Sequence, residues 1–68
     1  MEFYAVYKVY NTGREKLFDT FTNYKKAQKY ALEEKAFDAA SHQTLCFEIR
    51  DSEGFTLWDT NGYEYKRS

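Results

Sequence analysis

The sequence predicts an α+β fold. We read it as a single small domain spanning residues 1–68, with one helix on one face of an antiparallel sheet of four to five strands, ordered β-β-α-β-β-β. Two observations carry this reading. Short runs rich in aromatic and β-branched residues flank a single stretch with helical spacing. Glycine-bearing turn signals separate the runs.

The first run, EFYAVYKVY (2–10), reads as a strand, and EKLFDTFT (15–22) as its hairpin partner across Asn-Thr-Gly-Arg (11–14). Asn-Thr-Gly suits more than one loop length, so this register stays open. Thr22 and Asn23 are candidate N-caps. The helix then runs through about Lys35, with Tyr24, Ala27, Tyr30 and Ala31 on one stripe. Small alanines in that stripe let a helix lie close on a sheet. AFDAASHQ (36–43) either extends the helix by a turn or loops back. TLCFEIR (44–50) alternates cleanly, and FTLWDT and YEYKR follow, each preceded by a turn. No internal repeat, low-complexity stretch or linker is expected.

Turn chemistry sets which aromatic residues face outward. Asn61-Gly62 as a two-residue type I′ loop needs positive φ at both positions and places Trp58 opposite Tyr65. Asp-Ser-Glu-Gly (51–54) matches a three-residue loop with Gly54 in a bulge, which sets Asp51 opposite Phe55 and Ile49 opposite Leu57. In that register Leu45, Phe47, Ile49, Phe55 and Leu57 form the core. Trp58, Tyr63, Tyr65, Glu48 and Arg50 then occupy the open face. A loop of two or four residues would instead turn Trp58 inward beside Phe47.

Composition narrows the function classes. Eleven acidic and ten basic side chains give a net charge of -1, which lacks the basic footprint of an independent nucleic-acid binder. A chain of 68 residues leaves little room for a deep cleft with supporting shells. No apolar run is long enough to span a membrane, and the opening MEFYAVYKVY lacks the features of a signal peptide, so a cytoplasmic location is expected. One cysteine, Cys46, and one histidine, His42, supply neither a disulfide nor a zinc site, and no third group orients them for nucleophilic catalysis. Neither an enzyme nor a cofactor or metal site is expected. Aromatic residues make up 21% of the chain, which favours a binding surface.

Two candidate surfaces stand out. Lys25, Lys26 and Lys29 occupy the first two helical turns, against the macrodipole, and suit phosphates or an acidic protein surface. On the open sheet face, Trp58, Tyr65 and Arg50 suit an aromatic anchor for a protein partner, for a second copy of the chain, or for stacked bases.

The segments KKAQKYALEEKAF and TLCFEIRDSEGFTLWDTNGYEY carry a resemblance covering Asn23 to Tyr65. They resemble a small phage-encoded anti-CRISPR family that acts on type I-F surveillance complexes and shares the β-β-α-β-β-β order. The resemblance implies a non-enzymatic inhibitor that sits on the RNA-bearing backbone subunits and blocks guide–target DNA pairing in the host cytoplasm. It also implies non-specific DNA contact through helix bases. Lys29 falls at such a position, whereas Gln28 and Glu33 depart from the family's basic character. The amino-terminal half is also similar to small phage proteins that neutralise host toxins by plugging a groove. Either likeness implies a host protein or ribonucleoprotein partner, no membrane, and action as a monomer or homodimer.

Overall fold

The computed structural model describes residues 2–38 and 43–66. Strands β1 (Tyr4–Tyr10) and β2 (Glu15–Phe21) precede helix α1 (Tyr24–Phe37), and β3 (Thr44–Arg50) and β4 (Thr56–Asp59) follow it. The strands pair antiparallel in the order β2-β1-β3-β4, with α1 across one face, chiefly over β3. Asn23 caps the helix from an extended backbone, and its side chain accepts the Lys26 N–H at 3.0 Å. The helix passes Lys35 and ends at Phe37, where the Asp38 N–H closes on the Glu34 carbonyl at 3.0 Å. Most of the segment beyond that point, with His42, lies outside the described residues.

Ala27 and Ala31 are the two fully buried helix residues. With no bulk of their own, they let α1 approach the sheet until Val6, Phe47 and Ile49 are sealed beneath it. Aromatic rings close the margins. Tyr4 meets Tyr24 at 5.4 Å between centroids, Phe21 meets Tyr30 at 5.1 Å, and Phe18 stands edge-on to Phe47 at 5.3 Å.

The three turns share one geometry. Each opening residue receives the glycine N–H three positions on and bonds the carbonyl one position further, as in Gly54 N to Asp51 O (3.0 Å) and Asp51 N to Phe55 O (2.9 Å). Gly54 takes φ 85° and Gly62 φ 86°, conformations a side chain disfavours. Asp51 and Asp59 each also accept two loop N–H groups through Oδ1. Asp51–Phe55 and Asp59–Tyr63 are therefore one turn used twice, eight residues apart. The Asn61-Gly62 expectation is corrected, because no described residue other than glycine has positive φ. Asp59 lengthens that loop to three residues, and Thr60 within it exchanges bonds with β3: its N–H meets the Phe47 carbonyl at 2.9 Å, and its Oγ1 accepts the Phe47 N–H at 3.1 Å.

The largest correction concerns Trp58. The bulged Asp51–Gly54 turn forms as expected and Arg50 pairs with Thr56, but the register then slips, so that Ile49 faces Trp58 instead of Leu57. One extra residue reverses every face that follows. Trp58 therefore lies in the core, 8% exposed, and Leu57 packs at its edge. Leu45, expected inside, is exposed because a second slip between Val9 and Tyr10 leaves it unpaired against β1. Phe55 is half-buried outside the central cluster. The expected fifth strand reduces to one bridge, Trp58 to Glu64, where a Trp58–Tyr65 pair was expected.

Replacing a buried tryptophan with alanine removes its transfer energy and leaves a cavity. Trp58→Ala should cost about 3–5 kcal/mol in urea denaturation, whereas Tyr63→Ala, on the surface, should stay within about 0.5 kcal/mol of the parent. Equal small losses would return Trp58 to the open face.

Candidate functional site

The helix delivers one candidate surface. Lys25, Lys26 and Lys29 are all exposed, and no acidic residue sits in the first turn beside them. Lys25 and Lys29 share the outward stripe one turn apart, and Lys26 lies a step round the helix. The ion pairs among the described residues are Lys8–Asp38, Arg50–Glu15 and Arg50–Glu48, so all three lysines keep their charge open to solvent. Leu32, 48% exposed, follows Lys29 on the same side and supplies an apolar contact that sequence reasoning missed. Lys35, by contrast, is used internally, donating to the Thr60 carbonyl at 2.9 Å.

The opposite face of the sheet is the expected seat of the remaining candidates, but it does not bring them together. Trp58 lies on the far side, under the helix. Arg50 does face outward, and its hydrogen-bonding capacity is turned inward. It donates from Nε to Glu48 at 2.7 Å, pairs with Glu15 on β2, and lies 4.2 Å above the Tyr7 ring. The Arg50 hydrogen bond, followed by its charge, holds the Glu15 carboxyl below its usual range. Glu15 and Glu48 thus flank one guanidinium, and Asp59 lies opposite Glu48 on β4, which makes this face a poor seat for phosphate. Stacked bases lose two of the three side chains expected to hold them.

Tyr65 stays outside, 39% exposed, with its ring 4.5 Å from that of Tyr63. Its hydroxyl donates to Asp59 Oδ2 at 2.9 Å. That bond, with burial and the Asp59 charge behind it, pushes the phenol up to about 12. Cys46 is buried on the same face, and its thiol is pushed up to about 11, first by burial and then by Asp59 and Glu48. It therefore stays protonated and a weak nucleophile at neutral pH. Among the described residues no group of three or more His, Cys, Asp or Glu could hold a metal ion, and no helix is long and apolar enough to cross a membrane.

A third feature has no sequence signal at all. Tyr4, Tyr24, Leu57, Glu64, Tyr65 and Lys66 line a cleft of about 400 Å³ beside the start of the helix. Its walls come from β1, α1, β4 and the segment after the last turn, which no spacing pattern connects.

No family model matches this chain, and neither the curated proteins nor the solved structures provide a match. The functional reading therefore rests on the residues and their geometry.

A phenol raised above its ordinary value of 10 contributes stability that is complete below pH 10 and is lost as pH rises toward about 12. Ultraviolet tyrosinate titration should show a late-ionising group in the parent that is missing in Tyr65→Phe. Identical late titration in both proteins would dissolve the Tyr65–Asp59 bond.

Proposed function

We propose that this protein is a non-catalytic inhibitor that works by occupying a surface on a host-defence ribonucleoprotein, the type I-F surveillance complex being the target that the sequence resemblance implies. The observation that carries the reading is the helix start, where Lys25, Lys26 and Lys29 stand exposed, unpaired and against the dipole. Such an arrangement costs the free protein a little stability and is offset when a negative surface meets it. Leu32 on the same side adds apolar area to the contact. An RNA-bearing complex offers phosphates and acidic side chains together, so the lysines steer association and fix orientation. The same charges attract DNA without reading its sequence. Inhibition follows by exclusion, because a bound domain of 68 residues covers the surface on which guide and target must pair.

The test is target-DNA binding by a purified type I-F complex, with parent protein and with the Lys25→Ala, Lys26→Ala, Lys29→Ala triple variant. Each exposed charge contributes up to about 1 kcal/mol. The parent should inhibit, and the folded triple variant should need about tenfold more protein to do so. The difference should shrink as salt rises. No inhibition by the parent would remove the target, and an unchanged triple variant would remove the helix as the contact.

A further inference from the structure

The cleft beside the helix start has the makings of a binding site for a positively charged group. Tyr4 and Tyr24 meet at 5.4 Å with their planes 59° apart, forming a corner of two π-faces. Leu57 lies half-buried at the wall, and Tyr65 borders the cleft while its ring packs on Tyr63 and its hydroxyl bonds Asp59. Glu64 is held there by its bridge to Trp58, which turns its side chain to the helix side of the sheet. The Tyr24 hydroxyl registers that carboxylate: it is raised first by burial and then by the Glu64 charge.

We propose that this cleft binds a weakly hydrated organic cation, a quaternary ammonium or a guanidinium group. Two tyrosine rings and one carboxylate present negative charge on adjacent sides, which is how aromatic cages hold such groups. Four of the protein's own cations sit on other rings. Lys8, Arg14, Lys16 and Arg50 lie over Tyr10, Phe18 and Tyr7, and no described cation stacks on Tyr4, Tyr24 or Tyr65. Lys66 also lines the cleft and forms no ion pair with Glu64 among the described residues. Its primary ammonium holds water strongly, so entering the aromatic corner costs it more than it costs an alkylated or delocalised cation. Lys66 therefore acts as a weak competitor that repels the ligand. The site is independent of the helix lysines and stands whether or not the inhibitor reading holds.

The experiment is an NMR titration of the whole chain with choline, with Nα-acetyl-arginine amide, and with 3,3-dimethylbutan-1-ol, the uncharged isostere of choline. At least one cation should shift the Tyr4 and Tyr24 ring signals and bind about fivefold or more tighter than the isostere. Preference for the arginine amide identifies a partner's side chain as occupant, preference for choline a free quaternary ammonium, and either result supports the site. Glu64 and Lys66 are exposed, so their variants keep the fold. Glu64→Gln should bring the affinity down toward that of the isostere, and Lys66→Ala should raise it. Equal affinity for charged and uncharged probes would overturn the proposal. So would weaker cation binding after Lys66→Ala, because removing a like charge strengthens any site that holds a cation by its charge.

Discussion

The arrangement of this protein depends on one extra residue in β4. Arg50 pairs with Thr56 and Ile49 pairs with Trp58, so Leu57 has no partner of its own across the ladder. Because strand side chains alternate, that insertion inverts everything downstream. It sends Trp58 under the helix, aligns Asp59 with Glu48, and sets Thr60 beside Phe47. Glu64 then turns to the helix side, while Tyr63 and Tyr65 stack on the other. Both the aromatic face and the cleft at the helix start follow from the slip.

The core explains why the slip is favourable. The helix gives it two alanines, and the sheet seals only Val6, Phe47 and Ile49 completely. A tryptophan buries about 150–250 Å², worth about 4–6 kcal/mol at the usual coefficient, as an upper bound. For a domain this small, such a contribution is comparable to the whole net stability. The loop after β4 then locks the choice, since Thr60 bonds the Phe47 backbone in both directions and Lys35 reaches across from the helix to the Thr60 carbonyl.

Much of the fold is legible in the sequence because it rests on local rules. Alternation marks β3, the Asn23 cap marks the helix start, and Gly54 marks its turn. Lys25, Lys26 and Lys29 are equally readable, since residue order alone sets three bases against the macrodipole. The slip at Leu57 is not readable: Thr56, Leu57 and Trp58 are ordinary strand residues, and the reason for the bulge lies in the core they reach. The second turn had a usable signal. Asp-x-x-Gly recurs at Asp59 as at Asp51, and it outweighs the Asn-Gly pair inside it. Arg50 shows the limit for ion pairs, as Glu48 is a near neighbour while Glu15 arrives from β2, 35 residues away.

The central claim is that Trp58 belongs to the core because β4 carries one residue more than β3 can pair. Nuclear Overhauser contacts of the single indole test it most directly. The account predicts cross-peaks from the Trp58 ring to the methyl groups of Val6, Ala27 or Ala31, its companions in the buried cluster. Cross-peaks to the Tyr63 and Tyr65 rings, with none to those methyls, would place Trp58 on the open face and contradict it.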